Sequence, residues 1–225
     1  MVKSLLFRKK GQVDVVENCA MITWGPSLLI GGEFTEMMFE TLKIKLQNSS
    51  RNHFIYCPSG EWESFIQDTF PKNISKKQIN LYHHNEQCKM NGQTEHIYQI
   101  TDSWLKLGLP NAQLVKDEMY SYNTTEDFLK NGFGLVLIIN DLVCGYCLSE
   151  YSIDSECAIN IWVDEKFRKL GYAKAMTTLF LQYSKGKNWN VFWACDSDNL
   201  PSNKVAQLSG FSMHSKQNYF EWRKR

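Results

Sequence analysis

The second half of the chain carries two regular patterns of hydrophobic and polar positions. Alternation over residues 157–163 places Cys157, Ile159, Ile161 and Val163 on one face, which is typical of a half-buried strand. Between residues 171 and 185, apolar residues recur at every third or fourth position and predict an amphipathic helix. Further strands are predicted at 134–140, 142–150, 190–195, 211–215 and 219–222, and further helices at 125–130 and 201–209.

Turn-forming residues mark the boundaries between these segments. Asn140-Asp141 separates two β-rich runs and predicts a tight hairpin. Gly186 and Gly210 each follow a predicted helix, as glycine commonly does at helix C-termini. The resulting order of hairpin, strand, helix, strand, helix and hairpin predicts a mixed sheet with helices packed on its faces.

The first half alternates in the same way, although its patterns are shorter. Two strands are predicted around Gly25-Pro26, and Ser59 is the predicted N-cap of a helix that ends before Pro71. The full set comprises strands at 20–24, 27–30, 53–57 and 78–82 and helices at 34–46 and 59–70.

The domain organisation follows from these two series of elements. A linker is predicted between residues 105 and 113, because Gly108 and Pro110 interrupt the patterns there. The sequence therefore predicts an α/β fold, of the α+β mixed-sheet kind, in two parts. Residues 1–110 form an N-terminal α/β subdomain whose role stays open, and residues 111–225 form the second domain.

Composition bears on partners and compartment. The 225 residues include 25 Lys and Arg against 24 Asp and Glu, so the formal net charge is only +1. A net charge this small does not favour nucleic acid or an anionic membrane as a partner. Seven scattered Cys suit a reducing compartment, and no apolar run approaches the roughly 18 residues that span a bilayer. We expect a soluble, cytoplasmic protein, and its oligomeric state stays open.

The connection at residues 163–173 carries the most informative chemistry. A strand that turns into a helix presents unpaired backbone N–H groups and the positive end of the helix dipole, which together bind phosphate. Gly171 permits close approach to the backbone, and Ala173 leaves room beside the ligand. Arg168 and Lys169 add positive charge. By spacing alone, an ordinary strand-to-helix connection is the alternative interpretation.

The same residues resemble a known family motif. Arg168-x-x-Gly171-x-Ala173 resembles the Arg/Gln-x-x-Gly-x-Gly/Ala motif of the GNAT superfamily of N-acetyltransferases. In that superfamily the loop amides hold the pyrophosphate of coenzyme A. The resemblance implies that the cofactor is bound by Arg168, Lys169, Leu170, Gly171, Tyr172 and Ala173.

A second signature follows at the distance expected in that superfamily. The stretch from Asp198 to Phe211, with Asn199, Ser202 and Ala206, resembles the Asn…Ser…Ala…Gly-Phe ending of the superfamily core. This resemblance implies that Asn199 meets the pantetheine arm and that the helix flanks the cofactor. Together the motifs imply a GNAT-like acetyl-CoA-binding fold in the second half. They further imply an N-acetyltransferase that moves the acetyl group of acetyl-CoA directly to a primary amine.

Finer details are similar to one branch of the superfamily. The segments 127–134, 147–149 and 193–202 resemble the zwittermicin A resistance-type branch of GNATs. This chain has Lys169-Leu170 where the branch usually shows Gly-Lys, and the family loop tolerates both positions.

The reaction needs a polarised thioester carbonyl, a base for the amine and a proton donor for the thiolate. The strand residues Ile161, Trp162 and Val163 are predicted to contact the cofactor, and their N–H groups are candidates to polarise the carbonyl. Trp162 is also predicted to lie near the acceptor. Many GNATs place a Glu on this strand and a Tyr in the later helix, whereas this chain has Asn160 on the strand face and Ala206 in the helix.

Other residues are therefore the catalytic candidates. Ser202 is predicted to donate a proton to the sulfur, and Glu156 and Asp164 are predicted bases, acting directly or through water. Glu150 is a further candidate base. The alternative for each carboxylate is a solvated residue at a strand end, and for Ser202 it is a first-turn residue that satisfies backbone groups.

Two function classes stay open at this point. The first is an acetyl-CoA-dependent N-acetyltransferase with an unidentified amine acceptor, and the second is a catalytically silent acyl-CoA-binding protein that senses or scaffolds. No metal is predicted, because the His and Cys residues between 83 and 96 fit no usual zinc spacing. Cys144 and Cys147 are predicted to point to opposite faces of a strand, which argues against a redox pair.

Overall fold

A computed structural model describes residues 11–58, 60–84 and 94–224. These residues form two compact units. The larger unit contains the described residues from 80 to 215, and the smaller one contains the described residues from 11 to 79 and from 216 to 224. The predicted division after residue 110, which rests on Gly108 and Pro110, stays a prediction.

The smaller unit is a sheet with two helices. Its elements are β1 (Gln12–Val16), β2 (Cys19–Trp24), β3 (Ser27–Gly32), α1 (Glu36–Gln47), β4 (His53–Tyr56), α2 (Glu61–Thr69) and parts of β5 (Ile74–His84) and β11 (Phe211–Trp222). The strand order is β1-β2-β3-β4-β11-β5. The β1–β2, β2–β3 and β4–β11 pairs are antiparallel, and β3 and β4 are parallel.

Apolar burial holds the helices of the smaller unit against its sheet. The Thr35 hydroxyl caps α1 by accepting a hydrogen bond from the Met38 N–H at 3.2 Å. The core of this unit is formed by Met21, Leu28, Met38, Leu42, Ile55, Trp62, Ile66 and Phe220.

The larger unit contains the predicted strand–loop–helix connection. Its further elements are β6 (Ile97–Gln99), α3 (Asp102–Lys106), α4 (Ala112–Asp117), α5 (Thr125–Asn131), β7 (Gly134–Ile139), β8 (Leu142–Ile153), β9 (Glu156–Val163), α6 (Tyr172–Gly186), β10 (Asn190–Asp196) and α7 (Leu200–Leu208). The strand order is β5-β10-β9-β8-β7-β6. Strands β6 to β9 pair antiparallel, and β9 and β10 pair parallel.

The two faces of this sheet have different cores. Alternate residues of β9, including Ile159 and Val163, pack with Met176 and Phe180 of α6 in one cluster. The opposite face contributes to a second cluster, which contains Tyr146, Leu148 and Trp162 together with residues of α3, α4 and α5. Since successive strand residues point to opposite faces, the two clusters lie on the two sides of the sheet.

Most predicted elements of the second half are confirmed. The mixed α/β sheet is present, and α6 begins directly after Gly171. The β7–β8 hairpin turns at Asn140 and Asp141, whose φ angles of 51° and 59° are both positive. Positive φ at both central residues is what a type I′ hairpin turn requires.

Other predictions were wrong. The segments 211–215 and 219–222 belong to one continuous strand, β11, because the polar residues between them include no turn-forming Gly or Pro. The predicted N-cap Ser59 lies outside the described residues, and Gly60 occupies the N-cap position of α2. The predicted linker between residues 105 and 113 stays a prediction, and residues 107–111 connect the end of α3 to the start of α4.

The Cys144-x-x-Cys147 pair also differs from its prediction. The pairing of β7 with β8 shifts between Leu137 and Ile138, so that Cys144 is an extra residue in β8. Such a bulge breaks the simple alternation of faces. Cys144 and Cys147 consequently bury their side chains in the same core cluster.

Candidate active site

The central feature of the larger unit is the separation of two parallel strands. β9 and β10 are in register only from Glu156 to Ala158 and from Asn190 to Phe192. Residues 159–163 of β9 and 193–196 of β10 continue as strands beyond this register. We call these two strand ends the fork. A separation of neighbouring strands exposes backbone groups to a ligand that enters between them.

The backbone of β9 points into the fork at alternate residues. The Asp164 N–H donates to the Cys144 carbonyl at 2.8 Å, and Trp162 pairs with Tyr146 in the same ladder. Since hydrogen-bonding directions alternate along an antiparallel strand, the Trp162 amide points to β8. The amides of Ile161 and Val163 point the other way, towards the fork. Of the three strand residues predicted to contact the cofactor, Ile161 and Val163 therefore point their backbone amides to the fork. The amide of Trp162 points to β8.

The loop after β9 is held by its own hydrogen bonds. An Asp164 carboxylate oxygen accepts from the Lys166 N–H at 2.9 Å and caps a short 3-10 helix, Glu165–Phe167. The Arg168 Nε donates to the Val163 carbonyl at 3.0 Å, which ties the guanidinium to the end of β9. The predicted base Asp164 is thus a capping residue at the entrance of the loop.

The N-terminus of α6 is open. Gly171 is the N-cap with φ 88°, no side chain caps the helix, and its first turn contains no acidic residue. At this end a helical hydrogen bond runs from the Ala175 N–H to the Gly171 carbonyl at 3.0 Å. A Cβ placed on Gly171 would meet no heavy atom of the structure within 4 Å. This helix N-terminus therefore has no capping side chain and has room beside Gly171, as an anion-binding helix end requires.

On the other side of the fork, α7 begins with two predicted cofactor residues. The Asn199 side-chain oxygen accepts from the Ser202 N–H at 3.2 Å, so Asn199 is the N-cap of α7. The Ser202 hydroxyl accepts from the Trp193 Nε1 at 3.1 Å and also bonds to the Cys195 thiol. Burial raises the pKa of that thiol, and the hydrogen bond from Ser202 opposes the rise. Ser202 is therefore the predicted catalytic residue that lies at the fork.

Asn203 holds this end of α7, a role that the sequence did not indicate. Its side-chain nitrogen donates to the carbonyls of Asp196 at 3.0 Å and Asn199 at 2.8 Å. Its side-chain oxygen accepts from Asn80 at 2.7 Å and from the Tyr82 hydroxyl at 2.5 Å. A buried amide with all of these partners rigidly connects the turn after β10 to β5.

The face of β9 away from α6 carries a group of polar and aromatic side chains. The Asn160 side-chain nitrogen donates to a Glu118 carboxylate oxygen at 2.9 Å, and the Tyr146 hydroxyl bonds to the same carboxylate. The Tyr146 and Trp162 rings stack with centroids 5.8 Å apart. Burial, followed by the charges of Glu118 and Glu150, raises the pKa of Tyr146. Sequence reasoning missed Glu118, because its contact with Asn160 joins residues 42 positions apart.

Glu150 lies on the same face, in β8. It pairs with Ala158, the last residue of β9 that is still in register with β10. The Tyr120 hydroxyl donates to the Glu150 carboxylate, and Tyr151 also bonds to it. Burial raises the pKa of Glu150, the two tyrosine hydrogen bonds oppose the rise, and the nearby charge of Glu118 adds to it.

Glu156 lies elsewhere. It is the exposed first residue of β9 and pairs with Ile153 and Asn190. Glu156 is still in register with β10, two residues before Ala158 at the base of the fork, and its side chain is exposed. The structure therefore brings Ser202 and the cofactor loop to the fork but leaves Glu156 away from it.

Within the described ranges, no group of three or more His, Cys, Asp or Glu side chains is arranged to hold a metal ion. Cys88 lies outside these ranges, and His83 stacks on His214 with ring centroids 4.3 Å apart. In the same part of the chain, no helix is long and apolar enough to cross a membrane.

Comparison with known proteins supports an interpretation of this geometry. A family model described as GNAT acetyltransferase matches residues 5–220. No curated protein matches the chain. Among solved structures, a GCN5-related N-acetyltransferase-like protein from Streptococcus suis is 18% identical with a TM-score of 0.68, over 95% of this chain and 89% of that one.

Two further solved structures show the same fold. A GCN5-related N-acetyltransferase from Kribbella flavida is 8% identical with a TM-score of 0.65, over 100% of this chain and 93% of that one. A tandem GNAT protein from the clavulanic acid biosynthesis pathway is 10% identical with a TM-score of 0.59, over 90% of this chain and 78% of that one. At these identities the likeness concerns the fold alone.

Proposed function

Because this chain belongs to the GNAT acetyltransferase family, we propose that it transfers the acetyl group of acetyl-CoA directly to a primary amine. The observation that carries the proposal is the open N-terminus of α6 beside the fork between β9 and β10. An uncapped helix end suits a pyrophosphate, and a gap between strands suits an extended pantetheine arm.

The proposed cofactor site combines both predicted motifs. The pyrophosphate lies at the loop and first turn formed by Arg168, Lys169, Leu170, Gly171, Tyr172 and Ala173. The pantetheine arm lies along the fork, where the amides of Ile161 and Val163 can donate to it. Asn199 and Ser202 flank it from α7. Trp162 contributes its ring on the opposite face, beside the acceptor, rather than its backbone.

The proposed chemistry uses this arrangement as follows. Bound acetyl-CoA supplies the thioester, and a β9 amide polarises its carbonyl. The amine nitrogen forms a bond to the carbonyl carbon, and the bond between that carbon and sulfur breaks. Ser202 is the proposed proton donor to the departing sulfur, because its hydroxyl lies at the fork between Trp193 and Cys195. Asp164 and Glu156 are not used, since Asp164 caps the loop and Glu156 is exposed and precedes the fork.

Two finer assignments belong to the same proposal. Membership of the zwittermicin A resistance-type branch rests on the sequence motifs, of which Trp193, Cys195, Asn199 and Ser202 meet at one edge of the fork. The proposed cytoplasmic location rests on the seven scattered Cys residues, which suit a reducing compartment.

The decisive experiment measures binding and turnover separately. Acetyl-CoA at about a hundred times its dissociation constant should add roughly 2.7 kcal/mol to the free energy of unfolding. Release of coenzyme A is then followed with a set of primary amines. Binding without turnover across the set would favour the alternative, a catalytically silent acyl-CoA-binding protein. No stabilisation at millimolar acetyl-CoA would contradict both functions.

A further inference from the structure

We propose that Glu150 is the general base of this reaction and that Glu118 is a positioning residue that controls its readiness to accept a proton. This inference rests on the proposed function. It gives the reaction a base that comes from β8 and from the end of α4, instead of from β9 itself.

The position of Glu150 is the first observation. Glu150 and Ala158 are directly opposite each other on neighbouring antiparallel strands. Cβ atoms of such pairs are about 4.5–5.5 Å apart. Ala158 is the residue at which β9 stops pairing with β10, so it marks the base of the fork. The Glu150 carboxylate therefore lies beside the fork, on the face that also carries Trp162.

The surroundings of Glu150 are the second observation. Its carboxylate accepts hydrogen bonds from Tyr120 and Tyr151, which fix its orientation. Glu118 and Tyr146 also face it, and Cys157 of β9 is electrostatically coupled to it. In the part of the chain that the structure describes, no Lys or Arg forms an ion pair with it.

These surroundings favour a carboxylate whose pKa is raised above the ordinary value for Glu. Burial raises the pKa of Glu150, and the charge of Glu118 raises it further, while the tyrosine hydrogen bonds act in the opposite direction. A base is most effective when its pKa lies near the working pH. Glu150 meets this condition better than an ordinary surface carboxylate.

The way in which Glu118 is held is the third observation. Glu118 is the C-cap of α4 and is fixed by the Asn160 side chain at 2.9 Å and by the Tyr146 hydroxyl. Both donors are neutral, so they orient the carboxylate without cancelling its charge. The charge of Glu118 therefore disfavours the ionised form of Glu150, which gives Glu118 an effect on the reaction through Glu150.

The proton balance of the step is as follows. The acceptor arrives as an ammonium ion and gives one proton to the Glu150 carboxylate, which passes it to solvent. The neutral amine then forms the carbon–nitrogen bond as the carbon–sulfur bond breaks. The electron pair of the broken bond leaves on the coenzyme A sulfur. Ser202 donates its hydroxyl proton to that sulfur and is reprotonated by the second proton that leaves the nitrogen, directly or through solvent. The products are an amide and free coenzyme A.

The test compares the pH dependence of kcat/KM in the full-length protein with acetyl-CoA and n-butylamine, tyramine or glycinamide. Glu150→Gln should lower kcat/KM about 10²–10⁴-fold and abolish the acidic limb of the profile. Glu118→Gln should keep that limb and move it to lower pH, because the pKa of Glu150 falls when the neighbouring charge is removed. Asp117→Asn, an exposed residue of α4 next to Glu118, is the matched control and should leave the profile unchanged.

A transplanted base gives a second, independent result. Glu150→Ala should inactivate the protein, and the double variant Glu150→Ala with Ala158→Glu should recover part of the loss, because the two positions are cross-strand partners. Acetyl-CoA affinity, measured by calorimetry, should stay close to the wild-type value in every variant.

The outcomes separate this inference from the proposed function. If the wild type turns over amines and Glu150→Gln does so equally well, Glu150 is not the base, although the transferase function stands. If the acidic limb disappears in Glu118→Gln instead, Glu118 is the base and the assigned roles are wrong. If the wild type binds acetyl-CoA but acetylates no amine in the set, both the transferase function and its base are contradicted.

Discussion

The indole Nε1 of Trp193 donates a hydrogen bond to the hydroxyl of Ser202 at 3.1 Å, which joins β10 to the first turn of α7. Trp193 is almost completely buried, so this hydroxyl is the partner that satisfies its N–H group. Ser202 consequently has a structural contact in addition to its proposed role as a proton donor, and a variant at this position must be read with both in mind.

Ser202→Ala is expected to lower turnover and leave acetyl-CoA affinity nearly unchanged, the behaviour of an interaction made mainly in the transition state. It should also lower the free energy of unfolding by about 1–3 kcal/mol, because a buried donor loses its acceptor. Ser202→Thr retains the hydroxyl and should preserve most of the turnover. Calorimetric affinity, steady-state rate and denaturant unfolding together check these results. Weaker binding with unchanged turnover at saturation would make Ser202 a cofactor contact only.

Two variants of Asn199 separate its role as the N-cap of α7 from its proposed contact with the cofactor. Asn199→Ala removes the cap of α7 and should lower the free energy of unfolding by about 1 kcal/mol. Asn199→Asp keeps an oxygen for the Ser202 N–H but loses the side-chain N–H donors. If Asn199 contacts the pantetheine arm, both variants should bind acetyl-CoA more weakly, and only Asn199→Ala should be less stable. Normal affinity in both would confine Asn199 to capping.

Asn203 should matter for stability more than any exposed asparagine. Asn203→Ala removes the partner of Asn80, Tyr82 and two backbone carbonyls at once. With buried polar groups costing about 1–3 kcal/mol each when unpaired, we expect a loss of more than roughly 2 kcal/mol in urea unfolding. Asn190→Ala, at the exposed start of β10, is the control and should change stability little. Equal losses of stability in the two variants would show that the hydrogen bonds of Asn203 do not stabilise the fold.

Glu150 should limit the stability of the protein at neutral pH. The pKa of Glu150 is raised in the folded state. At pH values between the unfolded pKa and the folded pKa, the folded state therefore binds more protons than the unfolded state. Stability from this residue is therefore lost as the pH rises from the unfolded pKa through the folded pKa. Glu150→Gln should be relatively more stable than the wild type above that interval and gain nothing below it. Urea unfolding at several pH values measures the difference, and a gain that does not depend on pH would contradict the raised pKa.

Local sequence predicted the strand end, loop and helix starts that carry the candidate site residues. The loop with Gly171, and Asn199 with Ser202, lie where the motifs indicated, because a strand end, a glycine and a helix start are neighbours in sequence. The Glu118–Asn160 contact and the facing of Glu150 and Ala158 depend on strand pairing and on the packing of α4. Such contacts have no local pattern.

The fold shows the same difference between features that are local in the chain and features that depend on a partner strand. The β7–β8 hairpin was predicted from Asn140-Asp141, whereas the bulge at Cys144 and the unbroken course of β11 were not. A bulge depends on the partner strand, and a polar interruption without Gly or Pro need not turn the chain.

The central claim, that the open N-terminus of α6 binds the pyrophosphate of acetyl-CoA, is tested most directly by calorimetric titration of Gly171→Asp. A carboxylate at this end should occupy the same N–H groups and repel the pyrophosphate. Gly60→Asp is a closely matched control, because Gly60 is also an uncapped helix N-cap, with φ 86° against 88°, and a Cβ there also meets no heavy atom within 4 Å. We predict that Gly171→Asp loses acetyl-CoA binding while Gly60→Asp binds like the wild type. Equal affinity in the two variants would contradict the site.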